Sequence, residues 1–322
     1  MLFLNSEEIG QLADRSELIA VVEAVFRIHA SGDFQMPVRA HVEYKGKTFL
    51  TMPCFTDACF GAKLVSLVPG NLQRRLPVLF GIVVLNDGST GEPLAILNGA
   101  KITALRTAAV GALSIKYLAA TDVSRLGVIG AGVQGFNQTM FACSVRQFTD
   151  VYLYDHNEKT LHILGKKLTA ELPGVTITSG ESALAVLRQS EVVITATNTE
   201  QPLFPNDRTL FQNRHFVGIG SYKPEMREYP EALFRNLKYL LIDTEYALQE
   251  TGDVIMPLEN GWIAEKQIIP FNLVVSGKIV DVANEYNVTF FKSVGMALFD
   301  IVVADFIYKK AREKGCGFEV NL

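Results

Sequence analysis

The chain has 322 residues, 48% of them hydrophobic and 20% charged, with a formal net charge of −4; it is long enough for two domains and apolar enough to bury a substantial core. A pI near 5.8, with lysine and arginine scattered and only short pairs such as Arg74-Arg75 and Lys166-Lys167, excludes an electrostatic footprint for nucleic acid. No apolar run approaches the roughly 18 residues needed to cross a bilayer, and Ser6-Glu7-Glu8 puts acid where a signal peptide is basic, so a cytoplasmic protein is expected.

The first 35 residues read as helix. Asn5 and Glu8 form a capping box, and Leu18, Val22, Val25 and Phe26 recur at helical spacing. From Met36 to about Ile96 the pattern changes to strands and turns. His41–Tyr44, a Lys45-Gly46 turn and Thr48–Met52 predict a hairpin; Gly61–Val68 and Gly81–Leu85 follow, with Asn86-Asp87-Gly88 and Thr90-Gly91 as turns. A helix rich in small residues runs from about Gly99 to Ala120. From Ser124 onward strands and helices alternate. The strands are Arg125–Ile129, Asp150–Tyr154, Val175–Thr178, Glu191–Ala196, His215–Ile219 and Tyr239–Asp243, and the helices between them include Gln134–Val145, Glu158–Leu172 and Ser182–Gln189. Such alternation predicts an α/β fold, a doubly wound parallel sheet of Rossmann type. The last apolar helix, about Val294 to Arg312, is long enough to leave that domain and pack elsewhere.

One motif carries chemistry on its own. The strand Leu126–Ile129 runs directly into Gly130-Ala131-Gly132-Val133-Gln134-Gly135, and a helix follows. Gly130 permits the tight turn, Gly132 lets backbone approach a pyrophosphate, and Gly135 allows close packing of helix on strand. The pyrophosphate then meets unpaired N–H groups at a helix N-terminus. The next strand ends in Asp155, where an acid hydrogen-bonds both ribose hydroxyls and repels a 2′-phosphate. NAD(H) is therefore expected, although His156, Asn157 and Lys159 leave room for NADP(H). Thr197, at the end of another strand of the same sheet, is expected to contact ribose or nicotinamide. Four cysteines without CxxC spacing or histidine neighbours give no expectation of metal or of a disulfide framework. Mean hydropathy of +0.20 suits a protein that also buries an oligomer interface.

Several further segments stand together: Met36–Arg39, Gly61–Ser66 with Lys63, Leu76-Pro77, Thr90–Leu94, Leu97–Ala109 with Arg106 and Thr107, Ser221–Glu228, Thr251–Asp253 and Phe291–Asp300. In this order, over nearly the whole chain, they resemble the ornithine cyclodeaminase/mu-crystallin family. The resemblance implies a homodimer in which residues 1–117 and 298–322 form an α+β substrate-binding and dimerisation domain, beside a Rossmann domain of residues 118–297. It implies that Arg39, Lys63 and Arg106 line the substrate site and that Thr107 joins the cofactor contacts. The chemistry agrees: arginine offers a bidentate fork to a carboxylate, and a partly desolvated lysine can act on an imine or amine nitrogen.

One position departs from the pattern. Ornithine cyclodeaminases and archaeal alanine dehydrogenases of the family resemble Gly-x-Asp-x-Pro at the loop after the fifth strand, where this chain has Tyr222 two residues before Pro224. Without that carboxylate to activate water and receive a distal ammonium, the resemblance implies a reductase of small cyclic ketimine carboxylates using NAD(P)H, with proline or pipecolate as product. Three alternatives stay open at this stage: an ornithine cyclodeaminase, an alanine- or opine-type amino-acid dehydrogenase, and a non-catalytic binder such as mu-crystallin, which binds a thyroid hormone.

Overall fold

The structure is a computed structural model that describes residues 1–283 and 285–321. Asn284 and Leu322, which the expected domain ranges include, lie outside the described residues. The chain divides into two compact units: Met1–Arg106 with Met296–Leu322, and Thr107–Gly295. The boundary falls inside the continuous helix Gly99–Leu118, whereas the sequence expectation put it near that helix's C-terminal end.

The first unit is built on a seven-stranded sheet. Its strands run, in spatial order, Phe318–Glu319, Leu2–Leu4, Pro93–Asn98, Leu79–Asp87, Cys59–Leu67, Lys47–Phe55 and Ala40–Tyr44. All neighbours are antiparallel except Leu2–Leu4 with Pro93–Asn98. The expected hairpin is present, with Tyr44 opposite Lys47 and both turn residues, Lys45 at φ 48° and Gly46 at φ 71°, in the left-handed region that a two-residue hairpin requires. The Asn5–Glu8 capping box also forms, opening the helix Ser6–Leu12. The expectation of helix from the start of the chain is corrected at Leu2–Leu4, which is a strand. Three residues show no period, and the strand owes its existence to partners far away in sequence on both sides.

Helices Arg15–Ser31 and Ala297–Lys314 belong to this unit, and the rings of Phe26 and Phe299 meet edge-on at 5.1 Å. Ala297–Lys314 packs on the strands Leu79–Asp87, Cys59–Leu67 and Lys47–Phe55, so the last helix does leave the Rossmann unit. The opposite face of the sheet is apolar and exposed: Val42 pairs with Phe49, Phe49 with Ser66 and Ser66 with Phe80, and the three hydrophobic residues of that row are open to solvent, as is Ile82.

The second unit is an eight-stranded parallel sheet. Its spatial order is Ile268–Pro270, Leu240–Ile242, Val288–Lys292, Arg214–Gly218, Val192–Thr195, Arg125–Ile129, Asp150–Tyr154 and Thr176–Ser179. The order reverses between Arg125–Ile129 and Val192–Thr195, the switch point at which doubly wound sheets bind ligands beyond the carboxyl ends of their strands. The six expected strands are present to within two residues. Val288–Lys292 and Ile268–Pro270 were not anticipated. Val288–Lys292 is buried throughout, and a short run that is apolar on both faces has no alternation to betray it. An aromatic core including Phe211, Phe216, Tyr229, Phe234 and Phe290 fills one side of this sheet. No described helix is long and apolar enough to cross a membrane.

Candidate active site

In the second unit the glycine-rich turn forms as its spacing requires. Gly130 has φ +108°, and a Cβ there would lie 2.5 Å from the Ala196 carbonyl oxygen; a Cβ on Gly135 would lie 2.0 Å from that of Gly130. Around Gly132 the space is open. Gly132 is also the N-cap of the helix Val133–Ala142, whose first turn has no side-chain cap, so its N–H groups are left for an anion. A cleft of about 660 Å³ opens here, and its wall includes Gly130, Gly132, Gln134, Asp155, His156 and Thr197. Gln134 Oε1 is buried without a hydrogen-bond partner, an acceptor waiting for a donor. Open space at Gly132, an uncapped helix terminus and an orphaned acceptor all fit a dinucleotide.

Asp155, expected at the ribose, is held by backbone amides of the turn. Its Oδ2 accepts the Ala131 N–H at 2.6 Å and its Oδ1 the Asn157 N–H at 2.8 Å, so the carboxylate braces the turn it faces. His156 approaches Oδ1 at 3.4 Å while its own ring is largely exposed. Three expected cofactor residues stand outside the cleft wall. Val133 points to solvent at 69% exposure; Gly135 packs beneath the turn; Thr107 is buried, its carbonyl accepting from Gln138 Nε2 at 2.9 Å. Tyr222 lines the cleft and is half exposed.

Sequence reading missed the acid that shapes the cleft wall. Glu228 is fully buried. Its Oε1 accepts from the Thr197 amide at 2.8 Å and hydroxyl at 2.7 Å, and its Oε2 accepts from Thr195 Oγ1 at 2.9 Å and the Gly220 amide at 2.9 Å. One carboxylate thus ties together the ends of two neighbouring strands, and Thr197, having given its hydroxyl proton to Glu228, can only accept from a ligand. Behind it, Asp253 Oδ1 accepts the Glu228 and Tyr229 amides at 2.9 and 3.2 Å, and the buried Lys292 ammonium lies 3.6 Å from Asp253 Oδ2. Burial pushes the Asp253 carboxyl up to about 6 against the opposing pull of Lys292. The available signals were a lysine closing an apolar strand and an acid in Thr251-Gly252-Asp253.

In the first unit two of the expected cations, Lys63 and Arg106, meet at an unexpected anion, Asp300. Lys63 shares the inward face of its strand with Cys59 and Val65, where alternation would place another apolar residue, and is only 3% exposed. Its Nζ lies 2.6 Å from Asp300 Oδ2 and 3.4 Å from Thr103 Oγ1. Arg106, also buried, donates from Nε to Asp300 Oδ1 at 3.0 Å. Burial alone would raise the Asp300 carboxyl, but Arg106 and Lys63 hold it below its ordinary value. Burial pushes the Lys63 ammonium down to about 8, with Asp300 pulling the other way and Arg106 and Arg39 adding to the depression. Arg39 is half-buried, and its charge is felt at Lys63. Two cations on one buried carboxylate, with the charge of Arg39 also acting on Lys63, leave an excess of positive charge, which calls for an anionic ligand. The signal for Asp300 was one acid inside the apolar stretch Met296–Ala304.

The model of the ornithine cyclodeaminase/mu-crystallin family matches residues 1–315. A Δ1-pyrroline-2-carboxylate reductase of Bacillus thuringiensis subsp. konkukian is 31% identical, with both chains covered in full. Among solved structures, the Thermococcus litoralis Δ1-pyrroline-2-carboxylate reductase in complex with NADH and L-proline is 33% identical at a TM-score of 0.94, covering 99% of this chain and 100% of that one. An archaeal alanine dehydrogenase, a dimer with bound NAD, is 26% identical at a TM-score of 0.92, covering 100% of this chain and 99% of that one.

Proposed function

Because the chain belongs to the ornithine cyclodeaminase/mu-crystallin family, we propose that it is an NADH-dependent reductase that converts small cyclic ketimine carboxylates, Δ1-pyrroline-2-carboxylate or its six-membered homologue, to proline or pipecolate. The observation that carries this reading is the pairing of buried Lys63 and Arg106 with Asp300, with the charge of Arg39 acting on Lys63, in a chain whose other unit offers a dinucleotide cleft. The turn from Gly130 to Gly135 and the uncapped helix behind it hold the pyrophosphate, and Asp155 takes the adenosine ribose. When bound, NADH supplies the hydride that reduces the C=N carbon. Arg106 has one N–H engaged by Asp300 and presents its remaining donors to the substrate carboxylate, which Arg39 helps to hold. Such a clamp replaces a bimolecular encounter by a fixed geometry. Lys63 orients the imine nitrogen and gives it the proton that the new electron pair takes up; an ammonium poised near 8 is suited to donate at neutral pH.

Tyr222 supports reduction over cyclodeamination. A phenol offers no carboxylate to activate water or to balance a distal ammonium. The exposed apolar row Val42, Phe49 and Phe80 supports a homodimer, with a second copy covering this face. Four cysteines with no disulfide among the described residues suit the reducing conditions of the cytoplasm.

The test measures NADH oxidation with the five- and six-membered ketimine carboxylates beside ammonia and proline release from ornithine with NAD⁺, with light scattering on the same preparation for mass. Ketimine-dependent NADH loss and negligible ammonia are expected from a particle of twice the chain's mass. Robust ammonia release without ketimine-dependent NADH loss overturns the reading in favour of a lyase.

A further inference from the structure

Asp300 touches both residues assigned to the reacting end of the substrate, and its place in the fold gives it no other partner in the cluster to serve. It sits in the first turn of the helix Ala297–Lys314 with its side chain fully buried. One oxygen meets Lys63 on the strand Cys59–Leu67 at 2.6 Å; the other meets Arg106 on the helix Gly99–Leu118 at 3.0 Å. The carboxylate therefore bridges three separate elements, one oxygen to each cation. Gly61 lies on the same face of the strand: a Cβ there would lie 2.0 Å from the Val84 carbonyl oxygen of the neighbouring strand and 3.3 Å from Ile301 Cδ1 on the helix.

We propose that Asp300 is the positioning residue of the reductase, orienting Lys63 and Arg106 by a two-pronged ion pair and serving as the counter-ion that keeps Lys63 charged for proton donation. The proposal rests on the reading of Lys63 and Arg106 as substrate ligands. The charged groups around Lys63 are few. Asp300 faces it from the C-terminal helix, Arg106 from the long helix, and Arg39 from the segment before the strand Ala40–Tyr44. Asp300 is also felt by Cys54 on the neighbouring strand, whose thiol burial pushes up to about 12, so that it carries no charge in the working range. Asp300 is thus the one anion acting on Lys63 in this set, and every other influence there, burial included, drives the proton off. Removing the anion must lower the pH at which Lys63 gives up its proton. A carboxylate that merely filled space in the core would leave that pH where it is.

The experiment follows kcat/KM for Δ1-pyrroline-2-carboxylate against pH in the native enzyme and in the Asp300→Asn, Asp300→Glu and Lys63→Gln variants, with NADH affinity by fluorescence as the check on folding. The native profile should fall on its alkaline side near pH 8, as Lys63 deprotonates. In Asp300→Asn that limb should move down by about one pH unit or more, and KM for the ketimine should rise about tenfold as Arg106 loses its orientation, while NADH binding is kept. Asp300→Glu retains the charge on a longer stem, so the limb should return towards the native position while KM stays raised. This second variant carries the test alone if Asp300→Asn does not fold. An Asp300→Asn enzyme with an unmoved limb, or an Asp300→Glu enzyme with native KM, overturns the proposal. Lys63→Gln separates the two failures: if it keeps near-native turnover, the substrate-site reading itself is wrong, whereas an inactive Lys63→Gln beside an unaffected Asp300→Asn removes only the role of Asp300.

Discussion

Replacing Asp155 by alanine separates two tasks of one carboxylate. Each oxygen already accepts one backbone N–H, from Ala131 and from Asn157, and a carboxylate oxygen has a second lone pair to offer a ribose hydroxyl. In Asp155→Ala, loss of the Ala131 brace loosens the glycine turn and weakens both cofactors alike, so it cancels in their ratio. Loss of the hydrogen bond from the ribose 2′-hydroxyl is felt by NADH alone, at about 2 kcal/mol for a bond to a charged group, while the bond from the 3′-hydroxyl is lost by both cofactors. Relief of repulsion is felt by NADPH alone. Unit charges 4 Å apart repel by about 4 kcal/mol at an effective dielectric near 20, and salt and the open side of the cleft leave about 1 kcal/mol of that. The two effects sum to about 3 kcal/mol, or a roughly 150-fold change in the NADH to NADPH ratio of kcat/KM. Initial rates with each cofactor at saturating ketimine, in native and variant enzyme, read this ratio directly. A native enzyme that prefers NADPH about tenfold, or a ratio that moves less than about threefold on substitution, refutes the assignment of Asp155 to the ribose.

Arg106→Ala should lower kcat/KM for the ketimine by about 3 kcal/mol, roughly 150-fold and chiefly through KM, because a desolvated carboxylate loses its charged partner; NADH titration should be nearly unchanged, and normal turnover would take Arg106 out of the site. His215 predicts acid lability. It is buried between Ser114 and Thr289, and burial pushes it down to about 3 from 6.5, so below pH 6.5 the unfolded chain takes up a proton that the folded one refuses. Stability should therefore fall by about 1.4 kcal/mol per pH unit between pH 6.5 and about 3 from this group. Urea unfolding across that range should show a shallower slope in His215→Gln, and an identical slope would refute it.

What the sequence revealed was local. The strand, the glycine turn, the helix after it and the acid closing the next strand occupy Arg125–Asp155, and each is specified by near neighbours, so their spacing alone announces them. The hairpin at Lys45-Gly46 is legible for the same reason. Leu2–Leu4 was misread because its partners lie about ninety and three hundred residues away. Arg39, Lys63 and Arg106 stood out through a family pattern, yet nothing near them in sequence names Asp300 as their counter-ion. Glu228 and the Asp253–Lys292 pair were silent for the same cause: a buried charge is intelligible only once its partner is known, and folding supplies the partner.

The helix that carries Asp300 lies on the far side of Thr107–Gly295 in the chain. A polypeptide made from its N-terminus exposes the strands from Ala40 to Asn98 early, but the face of Lys47–Phe55, Cys59–Leu67 and Leu79–Asp87 that Ala297–Lys314 covers stays open until that helix has emerged. The Rossmann unit is continuous and can complete itself in that interval. The sheet cannot, and Lys63 and Arg106 wait beside apolar strands without the carboxylate that pairs them. Contacts of such long sequence separation close late, and surfaces left open meanwhile are those at which chains associate wrongly. The cationic cluster is thus among the last parts of the molecule to assemble during synthesis.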